Sequence, residues 1–218
     1  MRISPRDSFA SIYGLKPRFQ SLLRPVAARL VAVGATANGV TLFALGGSIV
    51  VGVAIGFAGA QRLLLLLAPL WLLVRMALNA IDGIMAREFS QKSSLGAFLN
   101  ELGDVGSDVA LYLPLGIAFS EVSVPVVAFS IGAVLTEFCG LLGLALGGSR
   151  RYDGPMGKSD RAFVFAVLTL AIALSTDMLT ISRWVLWAAV ALEVVTCANR
   201  VRSGLAEIVS GESGGMEQ

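Results

Sequence analysis

Six apolar runs alternate with short polar breaks along the chain, at roughly 36–58, 63–86, 96–119, 122–147, 160–176 and 181–202. The breaks hold helix-stopping residues: Gly59 with Gln61 and Arg62, the Ser90 to Ser94 bend, Glu121 to Ser123, the Gly147 to Ser159 loop, and Asp177. Each run is near the ~20 residues a helix needs to cross a bilayer, and a helix satisfies its own backbone in lipid. The pattern therefore predicts an all-α polytopic membrane protein with six transmembrane helices. Ahead of them, Phe19, Leu22, Leu23, Val26, Leu30 and Val33 recur at helical spacing between Pro17 and Val33, with Arg18, Arg24 and Arg29 mostly between them. This predicts an amphipathic helix in the cytoplasmic interface, its basic side on anionic headgroups, started or kinked by Pro25. An ordinary basic flanking segment is the alternative. Residues 1–35 thus form a cytoplasmic N-terminal segment, its first 15 residues poorly ordered, and residues 36–202 the membrane domain. Residues 203–218, rich in Gly, Ser and Glu, are expected as a disordered cytoplasmic tail.

Composition supports this reading. Of 218 residues 56% are hydrophobic and only 15% charged, where a soluble domain carries roughly a quarter charged. Mean hydropathy is +0.77. The placement of the 17 Lys and Arg then orients the chain. With the N-terminus inside, Arg62 and Arg183 fall outside, Arg75 falls within the membrane, and all the others face the cytoplasm. Both termini are expected in the cytoplasm, in the inner membrane of a bacterium. The first residues lack a secretory signal pattern, and no basic run mixes with aromatics as a nucleic-acid partner would require. The chain has no histidine, which excludes a His base or a His-bound metal. Cys139 and Cys197 lie in apolar runs and read as buried reduced thiols.

Candidate chemistry gathers between Arg75 and Asp108, across the second and third runs and the bend joining them. Charges at membrane depth are costly and mark function by default. Arg75, Asn79 and Asp82 share one helix face; on the next helix Asn100, Asp104 and Asp108 recur every four residues, with Glu101 three before Asp104. Two antiparallel helices would thus turn oxygen ligands towards each other at their cytoplasmic ends. Oxygen-only sets suit hard divalent ions such as Mg²⁺, Mn²⁺ or Ca²⁺. Gly83, Gly96 and Gly103 permit close approach of helices or ligand, and Arg87, one turn past Gly83, is placed to clamp a phosphate.

The frame Asn79-x2-Asp82-Gly83-x2-Ala86-Arg87-x8-Gly96-x3-Asn100-x3-Asp104 resembles the signature of the CDP-alcohol phosphatidyltransferases. Six of its eight fixed positions and all its spacings match; Asn79 and Asn100 stand where the family has aspartate. The six-run layout and Asn38-x2-Thr41 are also similar to the family. The resemblance implies a divalent-metal-dependent transferase of phospholipid biosynthesis. A phosphatidyl group would pass from a CDP-linked lipid such as CDP-diacylglycerol to an alcohol acceptor, releasing CMP. It implies Asp104 as base, Asp82, Asp104, Asn79 and Asn100 around one or two Mg²⁺ or Mn²⁺ ions, and Gly83, Ala86, Arg87 and Gly96 at the CDP donor. A homodimer is implied as well. The acceptor alcohol is not specified by these residues.

Other charges carry two readings each. Lys158 and Arg161, at the mouth of the fifth run, are candidates for binding a polar acceptor, as are Arg150 and Arg151 unless they serve orientation alone. Glu101 and Asp108 are replacement ligands, or groups paired with Lys92 or another helix. Glu137 and Glu193, deep in the fourth and sixth runs, are expected to pair with polar groups on other helices. A homologue that binds the CDP-lipid without turnover is an alternative, because both asparagines remove negative charge. A six-helix transporter is a further one, although no repeat is evident.

Overall fold

The computed structural model describes residues 15–215, with side chains from 19 to 210. Expectations for residues 1–14 lie outside the described residues. Seven α-helices follow in order among them: α1 (Leu15–Ala32), α2 (Ala37–Gly56), α3 (Leu67–Glu88), α4 (Ser94–Ala118), α5 (Ser123–Ala145), α6 (Lys158–Leu174) and α7 (Met178–Gly215). Short 3-10 turns, Arg62–Leu66 and Ser120–Val122, lead into α3 and α5. No strand occurs among the described residues.

Four stretches are long and apolar enough to cross a membrane: Ala37–Gly56, Arg62–Glu88, Ser120–Ala145 and Met178–Ser210. The remaining two expected spans are also helices, α4 and α6, but of different character. α4 carries Glu101, Asp104 and Asp108. α6 has only 17 residues, and Lys158, Asp160 and Arg161 occupy its first turn. The tail departs from expectation, because α7 runs on through Gly215 where residues 203–218 read as disordered. A long-range tether accounts for this: Glu207 accepts hydrogen bonds from Ser149 at 2.8 Å and from Arg151 at 3.0 Å, which holds the extension as helix.

The chain divides into two compact units, one of residues up to 46 with 73–103, the other of 47–72 with 104 onward. In the first, Ala27 of α1 is fully buried with Val40 of α2 and Ile81, Ile84 and Met85 of α3, and Leu23 and Leu30 pack alongside. The 23, 27, 30 spacing is one helical stripe, and the half-buried Leu23 and Leu30 each contribute less than the about 1.5–3 kcal/mol of full burial. Leu22 and Val26 of α1, and Val33 just past its end, stay exposed, and Arg24 pairs with Glu88 at 3.0 Å.

The second unit holds the larger core. Tyr112 of α4 lies between Phe129 of α5 and Phe165 of α6, with ring centroids 5.1 and 4.6 Å away. Pro114, inside α4, has no N–H to offer the carbonyl of Ala110 four residues earlier. Gly52 of α2 packs on that carbonyl so closely that a Cβ would lie 1.9 Å from its oxygen. α2 exposes Phe43 and Val50, and Phe57 follows at the same spacing just past its end, a stripe suited to lipid tails.

Candidate active site

The cleft of the first unit is built by the α3–α4 bend and the start of α2. Glu88 ends α3, and Ser90 takes a left-handed backbone with φ 57°, which turns the chain. Gln91 then reaches the N-terminus of α2, its Oε1 accepting from the Ala37 N–H at 2.6 Å. Ser93 caps α4 by accepting from the Gly96 N–H at 2.9 Å. Between these ends lies an open cleft of about 770 Å³.

Six of the predicted site residues, Asp82, Gly83, Ala86, Arg87, Gly96 and Asn100, line this cleft. Asp82 is buried, and its Oδ2 accepts from the Thr41 hydroxyl at 2.9 Å. The exposed Arg87 folds its guanidinium over Gly83, where a Cβ would sit 3.1 Å from Nη1. A Cβ at Gly96 would stand 2.7 Å from Asn38 Oδ1. Both glycines thus keep the floor of the cleft low. Asn79 is half-buried and lies outside this lining. Gln91 and Ser93 were not singled out by sequence reasoning, since their work is to anchor helix ends across the bend.

Asp104 and Asp108, farther along α4, belong to the second unit. There Asp104 pairs with Lys158 at the first residue of α6. One turn deeper Asp108 pairs with Arg161 at 3.3 Å. Arg161 was expected at the acceptor; it is instead fully buried, and its guanidinium donates to Glu137 at 3.0 Å and Thr136 at 2.7 Å as well. Glu137 also receives Arg150 at 3.1 Å and Arg200 at 3.5 Å. The expectation that Glu137 pairs across helices is met. Glu193 differs: it packs over Gly132 of α5, buried, and neither carboxyl oxygen has a hydrogen-bond partner among the described residues. Asp108 joins another helix, the second of its two sequence readings.

The loop before α6 is fixed where it enters the helix. The Asp160 carboxylate caps α6 by accepting from the Gly157 N–H at 2.9 Å, and the Met156 N–H donates to Thr196 of α7 at 2.9 Å. Arg151 forks onto Asp153 at 2.8 and 3.1 Å. That pairing holds the Asp153 carboxyl below the usual carboxylate range and raises Arg151 further.

Around Asp82 the cleft offers further oxygens from Thr41, Asn38 and Asn100. Glu101, the replacement ligand the sequence offered, also lines the cleft, and an oxygen-only set with these two carboxylates suits a hard divalent ion. Among the described residues no three Asp, Glu, His or Cys side chains gather as a metal cluster.

Comparisons with known proteins bear out the family resemblance. The chain is 46% identical over 199 residues to inner membrane protein YnbA of Escherichia coli, covering 89% of this chain and 96% of that one. Its fold is similar to phosphatidylinositol phosphate synthase of Mycobacterium tuberculosis solved with manganese and citrate, at a TM-score of 0.72 and 20% identity, over 84% of this chain and 88% of that one. The same enzyme with CDP-DAG bound gives a TM-score of 0.72 at 19% identity, over 86% and 94% of the two chains. The family model for CDP-alcohol phosphatidyltransferase matches residues 35–195, which include the whole Asn79 to Asp104 frame. The chain belongs to the CDP-alcohol phosphatidyltransferase family.

Proposed function

We propose that this chain transfers a phosphatidyl group from a CDP-linked lipid such as CDP-diacylglycerol to a polar alcohol and releases CMP. The observation that carries the reading is the cleft: six residues of the family frame line one 770 Å³ space, with the phosphate-binding candidate Arg87 at its exposed side. The solved relative with CDP-DAG bound supports the donor class. The acceptor oxygen forms a bond to the lipid-bearing phosphorus, the bond from that phosphorus to the CMP oxygen breaks, and the hydroxyl proton passes to Asp104. Arg87 neutralises the donor pyrophosphate, while Gly83, Ala86 and Gly96 leave room for the cytidine side of the donor. Asp82 and Asp104, with the amide oxygens of Asn79 and Asn100, are the proposed ligands of a divalent ion. When bound, that ion supplies Lewis-acid charge neutralisation at the phosphates. Lys158, paired with Asp104, is the acceptor-side cation; Arg161 has no exposed surface to offer there.

The same reading places the chain in a bacterial inner membrane, in keeping with the name of its Escherichia coli relative. It crosses six times through α2 to α7, both termini cytoplasmic, with α1 lying in the interface on its exposed Leu22 and Val26, and acts as a homodimer. Purified chain given CDP-diacylglycerol, Mg²⁺ or Mn²⁺ and a panel of polar alcohols should release CMP with one of them. No CMP with any alcohol or metal would sink the transferase. A second reading, donor binding without turnover, is favoured by the two asparagines and by the ammonium already on Asp104. It predicts tight CDP-lipid binding in that same silent protein.

A further inference from the structure

Two ion pairs join α4 to α6 in successive turns. Asp104 and Asp108 are four apart on α4; Lys158 and Arg161 are three apart on α6. Both spacings rise by about one helical turn, so the two pairs stack. They differ in solvation. At the outer pair the side chains are 32% and 20% exposed, whereas at the inner pair they are 0% and 4%. The inner guanidinium also reaches beyond its pair. Nη2 serves Asp108 and Glu137, and Nη1 serves Thr136 at 2.7 Å and the Met156 carbonyl at 3.4 Å. Four acceptors from α4, α5 and the loop before α6 therefore converge on one planar group. A lysine ammonium lacks the fixed fork to meet that set.

The geometry assigns Arg161 as a positioning residue: it sets the register of α6 against α4 and thereby delivers Lys158 to Asp104. Its importance for transfer rests on the reading of Asp104 and Lys158 given above, but its placement does not. Every acceptor of Arg161 sits on an element other than α6. Sliding α6 by one turn would take Lys158 away from Asp104 and strand the buried charges of Asp108 and Glu137 together. A buried carboxylate pair without its cation is strongly disfavoured, which makes the register stiff.

The test reads that register without substrate. Cysteines are placed by Asp104→Cys with Lys158→Cys in the full chain, after Cys139→Ala and Cys197→Ala remove the native thiols, and are bridged by a short bis-maleimide. This replaces the outer pair and leaves the Arg161–Asp108 pair between the two helices in place. Adding Arg161→Met should slow bridging at least about fivefold, and Arg161→Lys by less. Thr169→Val is the control on the same helix, since it loses a buried hydroxyl that bonds only within α6. It should leave the rate within about twofold. Unchanged bridging in Arg161→Met, or equal slowing by Thr169→Val, overturns the assignment. If Arg161→Met does not accumulate, Glu137→Gln loosens the same guanidinium from the other side and is read by the same rule. A native chain that releases no CMP while its cysteine variants bridge as expected would reject the transferase and keep the register device. CMP release with bridging indifferent to residue 161 would do the reverse.

Discussion

The cleft of the first unit and the ion cluster of the second use the same residue types to opposite ends. In the cleft, Asp82 and Arg87 line open space, and Arg87 is exposed. In the cluster, Asp108, Glu137 and Arg161 are all buried, and Arg161 donates to both carboxylates. Charge left facing a cavity can be completed by a ligand, whereas charge completed by protein fixes the position of the helices that carry it. Asp104 stands between these conditions: it is one-fifth exposed and paired with an amine that is itself one-third exposed. Such a group can exchange its partner, as a base in turnover must.

The largest expected effect falls on Asp104. Asp104→Asn keeps the shape and the hydrogen-bond reach but cannot take a proton. CMP release should fall by ~10²–10⁴, the usual worth of a general base. The contrast with the cluster is sharpened by measuring melting temperature alongside turnover, since the variant should lose activity while keeping its fold. Turnover close to native would remove Asp104 from this role.

The cluster should behave in the reverse way. Glu137→Ala leaves Arg161 and Arg200 buried with fewer acceptors, and breaking a buried pair from one side costs about 3–5 kcal/mol. Denaturation of the purified variant should show a loss of this size. A loss below about 1 kcal/mol would mean that water reaches the cluster and that its burial is not what holds it.

How far the sequence reveals this division depends on range. The helices before α7 were legible because their apolar runs end in residues that stop a helix, as at Ser90 and Gly147. The cleft residues were legible because they share one hairpin, where fixed spacing along α3 and α4 sets which face they occupy. The role of Arg161 was not, because its acceptors lie 53 and 24 residues away, at Asp108 and Glu137, and no local period encodes that pairing. The helical end of α7 escaped for the same reason: Glu207 meets Ser149 and Arg151 across 58 and 56 residues. Charge at an apolar run signals a partner, but the spacing leaves open whether that partner is a ligand or another helix.

The metal requirement tests the cleft side of the comparison with a smaller effect. One unit charge ~4–6 Å from an ion is worth about 3–4 kcal/mol at an effective dielectric of ~20, before relaxation. Asn79→Asp with Asn100→Asp restores two such charges. The Mg²⁺ or Mn²⁺ concentration giving half-maximal CMP release should drop by about tenfold or more, even if relaxation absorbs most of the gain. Arg75 is buried on α3 one turn before Asn79 and can blunt the shift by pairing with the new carboxylate. Arg75→Leu in the double variant is therefore the control and should enlarge it. A double variant needing more metal than the native chain would contradict the electrostatic account.

The smallest effect concerns the exposed ion pairs that tie the loop before α6, where neither sealing nor ligand binding is at work. Arg151 holds Asp153 through two parallel hydrogen bonds, and its third nitrogen reaches Glu207 at 3.0 Å. The Asp153 carboxyl is held below its ordinary value of 3.8, chiefly by the Arg151 hydrogen bond. A depressed acid contributes its stabilisation fully above the unfolded value and loses it as pH falls through the lower folded value. The tie should therefore be intact from neutrality down to about pH 4 and weaken below it. Side-chain exposures of 22% and 35% leave the pair open to solvent screening, so the change should be modest. Hydrogen exchange of the 146–157 segment, corrected for intrinsic rates, should show protection constant from pH 7 to 5 and reduced a few-fold by pH 3. Asp153→Asn should begin with the lower protection and show no such step. If native chain and variant lose protection together, acid acts elsewhere, and the loop owes its shape to Gly154 and Met156 packed on Thr196 rather than to charge.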